Sequence, residues 1–109
     1  MERAKFVEYW KVDWLHDFQN EPTRFYSEIG HDGYEVRKIQ HYRDGRRLKA
    51  DEFHESAEIG LSEIPVGAIE DVASQPDFAA CLINREEFEQ AWQSASWSTG
   101  VSGSPSKET

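Results

Sequence analysis

The chain has 109 residues, carries 12 Lys/Arg against 21 Asp/Glu for a net charge of −9, and is 13% aromatic. That length suits one domain rather than two, and so many aromatics among 30% charged residues exclude a disordered chain. No apolar run approaches the roughly 20 residues that cross a bilayer, and MERAKFVEYW places charges where a signal peptide is apolar. With a single cysteine, Cys81, the sequence reads as a soluble cytoplasmic protein without an internal disulfide and without a membrane partner.

In chain order, FVEYWKVDW (6–14) alternates with period two, so Phe6, Trp10, Val12 and Trp14 share one strand face. PTRFYSEIG is a second strand, with Phe25 and Ile29 opposite Tyr26 and Glu28, and His31-Asp32-Gly33 supplies turn chemistry. YEVRKIQHY (34–42) is a third strand whose apolar residues change parity, which requires a bulge near Arg37-Lys38 or burial of both faces. Asp44-Gly45 points to a type I′ hairpin returning through RRLKA. After Ala50 the acidic stretch 51–65 reads as a loop or irregular edge. GAIEDVAS (67–74) has helical spacing up to Pro76.

NREEFEQAWQSA (84–95) is the clearest helix. Asn84 and Glu87 make a capping-box pattern, Ile83 and Phe88 a hydrophobic staple, and Phe88, Ala91, Trp92 and Ala95 an apolar stripe. The whole is an α+β domain over residues 1–97: an antiparallel β-meander of three to four strands with one face packed on C-terminal helices. Trp10 and Trp14 are expected to meet Trp92 in that packing. Residues 98–109 form a Ser/Gly tail expected to be disordered.

Charge is unevenly shared. Residues 1–50 hold ten Lys/Arg and nine Asp/Glu (+1), whereas 51–109 hold two and twelve (−10). An acidic field of this kind repels nucleic acid and attracts basic proteins. The basic residues Arg37, Lys38, Arg43, Arg46, Arg47 and Lys49 are therefore expected to pair with the acidic half, or to keep an exposed strand edge from aggregating, rather than bind nucleic acid. His16, Asp17 and Glu21 crowd beside Trp14, but neighbouring residues on an extended chain point opposite ways and no nucleophile motif accompanies them. The four histidines lack ligand spacing, and no Gly-rich phosphate loop occurs, so neither a metal nor a cofactor is implied.

In order, KVDWLHDF, EP, YSEIG, YEVRKI, YRDGR, EIP and NREEFEQAW resemble a family of small bacterial domains of unknown function, over about residues 6–93. That resemblance transfers no catalytic residue. By analogy of class, small acidic bacterial proteins are often immunity or antitoxin partners. The resulting expectation is a non-catalytic protein-binding module, an immunity-type inhibitor of a basic toxin or enzyme, steered by Asp51, Glu52, Glu55 and Glu58. The alternative is a small-ligand site or enzyme that uses Trp14, His16, Asp17, Glu21 and Arg37.

Overall fold

A computed structural model describes residues 7–98. Its centre is the expected antiparallel meander: β1 (Glu8–Trp14), β2 (Pro22–Ile29), β3 (Glu35–Tyr42) and β4 (Arg47–Asp51). The sheet is larger than the meander, however. A fifth strand, β5 (Phe78–Ile83), pairs antiparallel with β1, and a two-residue β6 (Ser96–Trp97) runs parallel to β4. The order is therefore β5-β1-β2-β3-β4-β6. Between β4 and β5 lie a long loop and the short helix α1 (Ile69–Ala73); between β5 and β6 lies α2 (Arg85–Ser94).

These connections join opposite edges, so the second half of the chain encircles the meander. It crosses one face as the 52–77 segment, pairs at the far edge as β5, and returns over the other face as α2. The expectation of helices on a single face is thus corrected. Trp10 and Val12 pack with Ile29 beneath Val66, Ile69 and Val72. The stripe of α2 packs on the opposite face, where Phe88 meets Tyr9, Tyr26 and Ile39. Trp10 and Trp92 lie on opposite sides of the sheet. Both faces of β1 and β2 carry aromatics, and tyrosines bury their rings as readily as tryptophans do.

Local chemistry explains the elements. The Asn84 side chain accepts a hydrogen bond from the Glu87 N–H at 2.8 Å, capping α2 as its sequence indicates. Strand β3 has its bulge at Val36, one residue before the expected place: Ile29 faces Glu35 while Glu28 faces Arg37. It is also buried on both faces, through Ile39 on one side and Gln40 on the other.

The β3–β4 turn is not type I′. Gly45 has a positive φ of 97°, no non-glycine described residue does, and the Gly45 N–H donates to the Tyr42 carbonyl. Tyr42 and Arg46 bracket a three-residue connection with a glycine bulge. The β2–β3 turn repeats this device, with Gly33 at φ 86°, and the Asp32 and Asp44 carboxylates each accept the N–H two residues on. The tail expected from residue 98 lies outside the described residues except for Ser98, which is buried with its hydroxyl on Glu58.

The expected pairing of cations with the acidic half holds in part: Arg37 binds Glu89 and Arg46 binds Glu58, whereas Lys38 pairs with Glu35 of the first half, Arg43 with the His16 carbonyl and Lys49 with the Trp92 carbonyl. Lys11, outside the expected set, binds Glu87. Among the described residues no helix is long and apolar enough to cross a membrane.

Candidate functional site

Strand β1 ends at Trp14, and period two leaves that ring on the face of Trp10 and Val12. There it stacks on Phe25 of β2 (centroids 6.4 Å apart) and Phe78 of β5 (6.1 Å). His16 and Phe18 of the following loop close over it at 4.1 and 6.0 Å. This aromatic cluster anchors the 15–21 loop at one end of the sheet.

The loop is then fixed by polar bonds. The His16 Nδ1 accepts the Phe18 N–H at 2.9 Å, so its Nε2 carries the proton and donates to the Pro22 carbonyl at 2.8 Å. Arg43, from the β3–β4 turn, donates to the carbonyl of His16 at 2.8 Å. Both nitrogens of His16 thus serve the loop, and the loop holds Leu15 and Phe18 out to solvent, 60% and 59% exposed.

Two clefts flank Trp14. The first, of about 570 Å³, has Trp14, Phe25 and Tyr42 among its lining residues, together with the carboxylate residues Glu21 and Glu58. Arg46 also lines it, lying over the Tyr42 ring at 4.2 Å and reaching Glu58 at 3.5 Å. Gln40 donates to the Tyr42 hydroxyl at 2.8 Å and to the Glu58 carbonyl at 3.2 Å, tying sheet to loop. Burial, the largest influence on the Tyr42 phenol, pushes its pKa up.

The second cleft, of about 650 Å³, is lined by His16, Arg24, His41 and Arg43 on the far side of Trp14. Arg24 is clamped by Asp13 at 2.6 Å, and that hydrogen bond raises its pKa. The Nε2 of His41 is buried with no hydrogen-bond partner among the described residues. Burial, reinforced by Arg47 and Arg24, lowers the His41 pKa.

Of the residues crowded in KVDWLHDFQNEP, Trp14 lines both clefts, Glu21 only the first and His16 only the second, so they divide across the Trp14 ring rather than share one pocket. Asp17 is exposed and is not among the residues lining either cleft. Arg37 is elsewhere, under α2, where it pairs with Glu28 and Glu89 and lies 4.8 Å from both the Phe88 and Trp92 ring centroids.

Of the acidic residues, Asp51 accepts from the Phe53 N–H and binds His54 Nδ1 at 2.8 Å. Glu55 accepts the Leu61 N–H, and Glu58 binds Arg46 and Ser98. Glu52 is exposed. Asp51 and Glu55 thus order the loop itself, and Glu58 ties it to Arg46 and to Ser98. Among the described residues no group of three or more His, Cys, Asp or Glu is placed to hold a metal ion.

Residues 8–97 match the family model described as a domain of unknown function, DUF6881. The chain belongs to this family. The match runs from the first residue of β1 to the last of β6, so the family's unit is the complete encircled sheet, both clefts included. No curated protein and no solved structure matches the chain.

The family's fold also supplies site residues that sequence reasoning missed. Phe78, which lines neither cleft but stacks on the Trp14 ring between them, belongs to the unrecognised β5. Gln40, Tyr42 and Arg46 were readable only as parts of a strand and its turn. Their available signal was the Asp-Gly turn itself, which brings Arg46 back beside Tyr42.

Proposed function

We propose that this domain is a non-catalytic, cytoplasmic binding module that captures a cationic side chain of a basic protein partner, as an immunity- or antitoxin-type inhibitor would. The observation that carries the reading is the first cleft, where the aromatic residues Trp14, Phe25 and Tyr42 line the same depression as Glu21 and Glu58. Aromatic faces attract cations, and flanking carboxylates add charge-assisted hydrogen bonds. Arg46 already makes such a contact from within the chain. The exposed Phe18, on a loop fixed by His16 and Arg43, is a preorganised apolar anchor beside the cleft, and the exposed Leu15 borders the second cleft across Trp14. Glu52 and the rest of the acidic belt speed the encounter.

The alternative of a small-ligand site or enzyme at Trp14, His16, Asp17 and Glu21 has less support. Both His16 nitrogens are engaged in the loop, and Asp17 lies off the clefts.

The test is a titration with an arginine-rich peptide, followed by NMR at the tryptophan indole N–H groups and assigned with Trp14→Phe. The Trp14 signal is expected to move, with affinity falling as salt rises and at least tenfold in Glu21→Gln/Glu58→Gln. A response centred elsewhere, or one indifferent to the two carboxylates, overturns the reading.

A further inference from the structure

Strand β5 occupies an edge of the sheet, hydrogen-bonded to β1 on one side only. Its sequence, FAACLI, contains neither a charge nor a proline, and Ala79, Cys81 and Leu82 are exposed. Edge strands are usually blunted by charge, proline or a bulge. Here the register runs unbroken from Tyr9–Ile83 to Trp14–Phe78. The opposite edge differs: it ends in the two-residue β6, whose Trp97 stacks on His54 at 4.4 Å.

The phase of the open backbone groups is set by one bond. The Leu15 N–H donates to the Asp77 carbonyl at 2.8 Å, continuing the β1–β5 register by one step. Antiparallel ladders alternate, so Ala79, Cys81 and Ile83 bond toward β1, while Ala80 and Leu82 direct their N–H and C=O outward; the Phe78 N–H, of the same parity, is taken by the Gln75 carbonyl at 3.1 Å.

We propose that this edge pairs antiparallel with the same edge of a second copy of the chain, about a two-fold axis at Cys81, joining two six-stranded sheets. A two-fold contact must be self-complementary, and outward-pointing residues must face outward-pointing residues. Axes at Ala79, Ala80 and Cys81 all meet those conditions, but the first two set an outward residue of the second copy against Phe78, whose N–H is already held by Gln75. With the axis at Cys81, Ala80 lies opposite Leu82 of the second copy, and Asp77, in the turn before β5, is brought toward the exposed Arg85 that opens α2, twice over. With the axis at Ala80, Asp77 meets Ile83 and the charges are unmatched. Arg85 is 73% exposed and its contact with Glu89 is long, 3.9 Å, so it can turn to a new carboxylate. Ala79, Ala80 and Cys81 at the axis are small enough for close approach.

Sedimentation equilibrium of the full chain in reducing buffer tests this. The expected mass is twice 12.6 kDa. Ala80→Pro removes an outward N–H that the chain itself does not use, and Leu82→Lys places a charge on the edge. Each is expected to raise the dimer Kd at least tenfold with an unchanged circular dichroism spectrum. Arg85→Asp should weaken the dimer, and Asp77→Arg added to it should restore it. A short bis-maleimide should link Cys81 to Cys81. A monomer at all concentrations, or a dimer unmoved by both edge variants, overturns the proposal.

Discussion

Arg37, alongside Lys11 and Lys49, ties the α2 layer to the sheet. Burial works against its charge, yet hydrogen bonds to Glu89 and Glu28 outweigh that cost and raise its pKa. Glu28 and Arg37 keep only 16% and 19% of their side-chain surface, so Arg37→Ala strands a largely buried carboxylate. That substitution is expected to cost about 2–3 kcal/mol in urea unfolding, the range for breaking a partly buried pair. Arg37→Lys should recover only part of it, because an ammonium cannot span both carboxylates.

The same bond, first among the influences on Glu89, lowers the Glu89 pKa below its ordinary value of 4.5. A carboxylate with a depressed folded pKa contributes stability above its unfolded value and loses it as the pH falls through the folded one. Wild type and Glu89→Gln should therefore differ at pH 7 and converge in strong acid. Parallel stability–pH curves for the two proteins would refute the coupling.

Among elements, the two aspartate–glycine turns set the register of β2, β3 and β4. A Cβ at Gly45 would meet nothing within 4 Å, so Gly45→Ala isolates the cost of holding alanine at φ 97°. About 1–2 kcal/mol is expected from that strain, measured as a shift in the urea midpoint, and less for Gly45→Asn. A neutral Gly45→Ala would mean that the turn relaxes to another form.

The sequence made these turns legible as turns, but not their type: the dipeptide Asp-Gly serves both a type I′ turn and a glycine bulge. It made α2 legible to the residue, because the Asn84 cap and the 3.6-residue stripe are local signals. β5 was hidden because FAACLI is a short apolar run without alternation, and its partner β1 lies far back in the chain, with Trp14 set against Phe78. The face chosen by α2 was hidden for a related reason. Tyr9 and Tyr26 offer as good an apolar surface as Trp10 and Phe25, and only the chain's route around the edge at β5 selects between them. At the candidate site, Trp14, His16 and Glu21 were legible because one loop joins them. Arg37 could not be placed, since a strand residue's partner depends on which helix crosses its face.

At the scale of the molecule, a nearly neutral meander is encircled by an acidic belt, and one part of that belt has no regular structure to hold it. The 52–64 stretch is fixed instead by a few contacts with the sheet. Ile59, 1% exposed, packs with Tyr42, Leu48 and Ala50; Lys38 donates to the Gly60 carbonyl; and Glu35 accepts the Ser62 N–H. Ile59 is the sole large apolar side chain of the belt in that cluster, so truncating it should cost about 2–5 kcal/mol, as for other fully buried isoleucines.

Where that energy is lost decides the fate of the cleft beside Trp14. If the segment is held mainly by Ile59, Ile59→Ala should release it locally: amides at Gly60, Leu61 and Ser62 should exchange faster by more than the global loss of stability dictates, while those of β1 to β3 change only with global unfolding. Glu58 moves with this segment, so the cleft should lose one of its carboxylates and its peptide affinity at least tenfold, with the Trp14 stack on Phe25 and Phe78 intact. Uniform acceleration of exchange across the sheet would instead make Ile59 part of a single cooperative core, and the cleft would then unfold only with the whole domain.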